Sequence, residues 1–152
     1  MASTEATLRS FFQASKYAVV GASTNTEKFG YKVFKWYVNH GLPATPINPS
    51  APAINVDGKD YPTAASLSAL QEAEGTAVSI ITAPPVTKKT LEEAKDLGIQ
   101  AVFLQPGTFD DDVLANAREN FATVLAGKGG AGSEGWCVLV DGERGLRAAG
   151  KL

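Results

Sequence analysis

Short, almost wholly apolar runs alternate along this chain with longer segments whose apolar residues recur at helical spacing. That alternation predicts βαβ units wound around a parallel sheet. Residues 17–20, 44–47, 78–82, 101–104 and 137–140 read as strands, apolar at nearly every position, as expected where helices cover both faces. Residues 4–14 carry Leu8, Phe11 and Phe12 at helical spacing, and residues 31–39 carry Val33, Phe34, Tyr37 and Val38 before Gly41-Leu42-Pro43 ends the helix. Thr63 is placed to cap a short helix through Leu70, and Pro85 to open one through Leu97 with Gly98 at C′. Asp110-Asp111-Asp112 starts a further helix, with its acids on the favourable end of the dipole. The pattern therefore predicts an α/β protein, a Rossmann-like three-layer sandwich with a mostly parallel five-stranded sheet, and one domain over residues 1–152.

Two segments break the rhythm. Asn48-Pro49-Ser50-Ala51-Pro52-Ala53 reads as a stiff, extended loop after the second strand. Residues 127–135 are too glycine-rich to be held cheaply in one conformation and read as a mobile linker. A phosphate-binding glycine nest is the sharper alternative there, but no Gly-Lys-Ser/Thr ending follows.

Ligands of doubly wound sheets lie beyond the carboxyl ends of the strands. Those ends read Gly21-Ala22-Ser23, Asn48-Pro49, Ala83-Pro84-Pro85, Gln105-Pro106-Gly107 and Asp141-Gly142, nearly all small, proline-bearing or neutral. Rigid walls and accessible backbone suit an adenine and a pyrophosphate better than they suit acid–base chemistry. The first end is the most informative: a strand, a small-residue turn and a helix starting near Phe29-Gly30-Tyr31 make a phosphate cradle. It is not the tight dinucleotide turn. That motif needs Gly-x-Gly-x-x-Gly and an acid about 20 residues on, whereas here the next glycine after Gly21 is Gly30 and the second strand ends at Asn48.

Composition narrows the ligand. The 152 residues carry a net charge of −2, with lysines and arginines scattered singly or in pairs, which disfavours an extended nucleic-acid surface. One cysteine, Cys137, and one histidine, His40, exclude an intramolecular disulfide and a structural zinc site. No run approaches the roughly 18 apolar residues of a membrane span. A cytoplasmic protein with a small nucleotide ligand, no nucleic acid and no membrane is expected.

Val20-Gly21-Ala22-Ser23, Lys28-Phe29-Gly30-Tyr31-Lys32-Val33, Pro46-Ile47-Asn48-Pro49, Tyr61-Pro62-Thr63, Ala83-Pro84-Pro85 and Leu104-Gln105-Pro106-Gly107 follow one another in that order. In these residues the chain resembles, over nearly its whole length, the small CoA-binding-domain proteins. These are related to the CoA-binding Rossmann domain of the succinyl-CoA synthetase α subunit. The resemblance implies coenzyme A or an acyl-CoA as ligand, with Gly21, Ala22 and Ser23 at the phosphates and Asn48 and Pro49 facing the adenosine end. It also implies that Ala83 and Pro84 pack along the nucleotide and that Gln105 lies near its other side. Lys28 is the first cation expected at the phosphates, and Lys32 is one helical turn on. The synthetase's phosphoryl-relay histidine and ATP-grasp subunit have no counterpart in these residues. Where a lysine follows its second-strand turn, this chain has Ser50 and Ala51.

Other reactive residues do not converge. His40 is spaced as a partner of a helix C-terminus. Cys137 reads as a small buried hydrophobe at the start of the last strand, the end away from a ligand. Glu72, Glu74, Glu92, Glu93 and Asp110 to Asp112 read as solvated faces or dipole partners; Asp141 and Glu143 at a strand end are the least readily dismissed. A non-catalytic binding protein is therefore expected. An NAD(P)-binding oxidoreductase or nucleotide sensor is the alternative if the first turn tightens and an acid reaches the ribose. A protein-interaction module with a vestigial pocket, as a homodimer or with another protein, is the alternative if Trp36, Tyr37 and Tyr61 form an exposed patch.

Overall fold

The computed structural model describes residues 3–152. Strand β1 (Lys16–Val20) sends Tyr17 and Val19 into one apolar core and Ala18 and Val20 into another, because successive side chains of a strand point to opposite faces. It is flanked by β2 (Ala44–Ile47) and β5 (Thr76–Ile80), and β6 (Ala101–Leu104) and β7 (Thr123–Leu125) complete the sheet. The order is β2-β1-β5-β6-β7, and every neighbouring pair is parallel. The strand order thus reverses between β1 and β5, the switch point at which doubly wound sheets open a crevice.

Helices α1 (Glu5–Phe12), α2 (Phe29–Asn39) and α5 (Val138–Ala148) supply the core on one face. On the other lie α3 (Pro84–Asp96) and α4 (Asp111–Asn120). Local chemistry sets several helix ends. Thr4 caps α1 in a reciprocal pair with Thr7, Pro84 opens α3, and Asp110 accepts from the Val113 N–H at 2.8 Å. Gly98, at φ +78°, sits just past the Leu97 C-cap of α3. Among the described residues no helix is long and apolar enough to cross a membrane.

The expected α/β sandwich is present, with corrections. The fifth strand is β7, not residues 137–140, which instead lead into α5. Val138-Leu139-Val140 resembles a strand in isolation, but Val138, Asp141, Gly142, Gly145 and Leu146 share a buried helical face. Glycine is needed on that face. A Cβ at Gly142 would overlap the Trp36 ring, and one at Gly145 would overlap Phe12. Residues 63–70 hold only a single 3-10 turn, Leu67–Ala69. The third strand begins at Thr76 rather than at residue 78. Between β2 and β5 the chain also forms an antiparallel hairpin, β3 (Ala53–Val56) and β4 (Lys59–Pro62). Its turn residues Asp57 and Gly58 both have positive φ, the Asp-Gly signature of a two-residue hairpin turn.

Candidate functional site

Beyond the carboxyl ends of β1, β2 and β5 lies a cavity of about 690 Å³, with walls from the β1–α2 turn, the β2 end, residues 65–67 and one side of α3. Its floor depends on two glycines. Gly21 has φ +94°, and a Cβ there would stand 2.6 Å from the Ile81 carbonyl oxygen. A Cβ on Gly30 would overlap the Gly21 carbonyl oxygen. The start of α2 is thus seated directly on the turn that leaves β1. No side chain caps it: the N-cap is Lys28, which is exposed and offers no acceptor. In the first turn of α2 the Tyr31 and Lys32 N–H groups donate to the Lys28 carbonyl at 3.1 and 3.2 Å, which leaves the Phe29 and Gly30 N–H groups as the unpaired amides of this helix end.

The turn is ordered by its own polar groups. Ser23 Oγ accepts from the Asn25 N–H at 3.0 Å, and Asn25 Oδ1 accepts from the Glu27 N–H at 3.0 Å. At the β2 end Asn48 is also committed internally. Its Nδ2 donates to the Ala22 carbonyl at 2.9 Å, tying β2 to the β1 turn, and its Oδ1 accepts from the Ser50 and Ala51 N–H groups at 2.8 and 2.9 Å. Across the cavity, α3 contributes Val86, Thr90 and Glu93, and Glu93 accepts from the Ser68 hydroxyl at 2.6 Å.

A second cavity of about 250 Å³ adjoins the first and shares Phe29 and Ile81 with it. Gln105, 3 % exposed, links the end of β6 to the start of α5. Its Oε1 accepts from the Val138 N–H at 2.8 Å, and its Nε2 donates to Cys137 Sγ at 3.1 Å. Cys137 is the N-cap of α5 and lines this cavity at the carboxyl edge of the sheet. Its expected position at the far end of a last strand is corrected, because the segment is helical. The glycine-rich residues 127–135 pack around Asp141. That carboxylate is fully buried, accepts from the Ala131 N–H at 2.8 Å and the Cys137 N–H at 3.0 Å, and pairs with Arg144 at 3.3 Å. Two amide donors and a guanidinium compensate its burial.

Of the residues expected at a ligand, Gly21, Ala22, Ser23, Lys28, Asn48 and Pro49 come together around the first cavity, and Gln105 lines the second. Ala83 and Pro84 line neither; they form the N-cap and first turn of α3. Lys32 lies over the Phe29 ring, 5.6 Å from its centre. Sequence reasoning missed Thr82, Val86, Thr90 and Glu93. The last three recur at helical spacing and were legible as one helix face, although nothing local assigned that face to a cavity. Trp36 and Tyr37 are buried, so the aromatic patch that would mark an interaction module does not form. Among the described residues the exposed large apolar ones are instead Phe29, Val86, Leu139 and Val140 at the cavities, together with Leu152. His40 lies elsewhere, stacked on Trp36 and paired with Glu143 at 3.0 Å.

A doubly wound α/β sheet with an uncapped helix N-terminus over a glycine turn at its switch point defines a phosphate- or nucleotide-binding class of protein. Within that class, the chain belongs to the CoA binding domain family, whose match covers residues 15–129. No curated protein matches it in sequence. Solved structures share the fold. A hypothetical protein from Pyrococcus horikoshii is 24% identical with a TM-score of 0.76, the alignment covering 94% of this chain and 92% of the other. A conserved hypothetical protein from Pyrococcus furiosus is 25% identical with a TM-score of 0.62, over 69% of this chain and 86% of the other. A Thermus thermophilus protein is 24% identical with a TM-score of 0.66, over 81% and 90%.

Proposed function

We propose that this chain is a single CoA-binding domain that holds coenzyme A or an acyl-CoA along the carboxyl edge of its sheet and does no chemistry on it. The ADP portion belongs to the larger cavity, its pyrophosphate at the α2 amides and Lys28. The pantetheine arm crosses Phe29 and Ile81 toward Gln105 and Cys137. One observation carries this reading: the two cavities meet at Phe29 and Ile81, so a phosphate cradle opens onto an apolar path. The ligand has that same order of parts, a charged pyrophosphate followed by a long, thin and largely uncharged arm.

The fit extends to the cradle. Glycines at positions 21 and 30 let the β1 turn, Ile81 and the start of α2 pack backbone against backbone, which brings the helix terminus to the cavity. An NAD-type site would use an acid at the end of β2 to hold the ribose. That position is Asn48, with both ends of its side chain bonded to backbone. Calorimetry and thermal shift with CoA, acetyl-CoA, NAD and NADP test the reading, since a ligand that binds the native state raises its melting temperature. Stabilisation by CoA and acetyl-CoA is expected. A response to NADP with none to either CoA species would overturn it.

A further inference from the structure

We propose that the site takes the ADP portion of its ligand without recognising a 3′-phosphate, so that coenzyme A and 3′-dephospho-coenzyme A bind alike. This rests on the CoA reading and concerns the adenosine end alone. In doubly wound folds the carboxyl end of the second strand meets the adenosine ribose. A phosphate on that ribose needs a cation or free N–H groups there, and residues 48–52 after β2 have neither. Pro49 and Pro52 have no N–H. The Asn48 N–H donates to the Ala64 carbonyl at 2.9 Å, and the Ser50 and Ala51 N–H groups are both taken by Asn48 Oδ1. Asn48 Nδ2 is bonded to the Ala22 carbonyl, which leaves the exposed Ser50 hydroxyl as the donor of this segment.

Charge in the cavity points the same way. Among its lining residues Lys28 is the one cation, against Glu27 and Glu93, and Lys28 sits on the β1 side at the start of α2. Of the lysines of α2 and the hairpin, Lys32 lies over the Phe29 ring where the two cavities meet, Lys35 pairs with Asp57 at 3.5 Å, and Lys59 lies 5.2 Å from the centre of the Tyr61 ring. Glu93, held by Ser68, keeps acceptor capacity that suits a ribose hydroxyl or an adenine amino group and repels a phosphate. The 3′-phosphate therefore stays in water and adds no affinity.

The test is calorimetric titration of the whole protein with CoA and with 3′-dephospho-CoA at one ionic strength. A charge-assisted phosphate contact is worth about tenfold or more in affinity, so its absence is measurable. Dephospho-CoA is expected to bind within about threefold of CoA, or more tightly. Dephospho-CoA binding more than about threefold more weakly than CoA overturns the inference and leaves the CoA reading standing. Binding of neither, with a response to NADP, overturns both.

Discussion

Gly30 at the start of α2 lies against the carbonyl oxygen of Gly21, closer than any side chain could permit. This contact seats the helix terminus over the β1 turn and makes the cradle. Gly30→Ala must push α2 away or twist the turn. A loss of about 2–3 kcal/mol is expected from overpacking, read as a lower urea midpoint. Gly21→Ala adds positive-φ strain to a clash with Ile81 and is expected to cost at least as much. Both variants are expected to lose CoA affinity beyond what residual unfolding explains.

Lys28 is exposed and holds no structural contact with its side chain as a cap, so its removal leaves the fold intact. Lys28→Ala is expected to weaken CoA binding by roughly threefold to tenfold and to reduce its salt dependence, with the melting temperature of the free protein unchanged. Unchanged affinity would remove the residue from the site.

Asp141 is the peg on which residues 127–135 and the start of α5 hang. Asp141→Ala leaves the Ala131 and Cys137 N–H groups without their acceptor. A loss of about 3 kcal/mol is expected, together with faster proteolytic cleavage within 127–135. A variant as resistant as the native protein would show that the glycine-rich segment is held by something other than this carboxylate.

Cys137 is the sole cysteine and lines the second cavity, so it reports on the path proposed for pantetheine. Acetyl-CoA, whose thiol is blocked, is expected to slow alkylation of Cys137 by N-ethylmaleimide several-fold. An unchanged rate at saturating acetyl-CoA would place the arm elsewhere.

Glu143 links α5 to α2 through His40, whose ring bonds its carboxylate at 3.0 Å and the Trp36 carbonyl at 2.7 Å. The hydrogen bond from His40 is the main cause that holds the Glu143 carboxyl below its ordinary value of 4.5. A lowered folded value means that the contact stabilises fully above the ordinary carboxylate range. It is lost as pH falls through the lowered value. Glu143→Gln is therefore expected to lower the urea midpoint at neutral pH, and the gap should close in acid below the ordinary carboxylate range. A gap that persists there would assign the effect to packing.

Fold class was legible in the sequence because each strand buried on both faces must be apolar throughout, and each covering helix must repeat its apolar residues at helical spacing. Gly21, Gly30, Gly98 and Asp110 could be read for the same reason, since turns and helix ends make local demands on backbone chemistry, whereas the cap expected at Thr63 has no helix behind it. Short elements escaped. Strand β7 has three residues, too few for a pattern, and Val138-Leu139-Val140 carries strand-like residues into a helix that only Trp36 and Phe12, packed against Gly142 and Gly145, define. The local demands of the β1–α2 junction made its glycine turn and helix start legible in the sequence. Long-range contacts decided the rest of the site. Cys137 reaches the carboxyl edge only because Gln105 and the buried Asp141 fix the start of α5. The groups along the second-strand end are spent on Ala22, Ala64 and one another, and no spacing along the chain reveals that commitment.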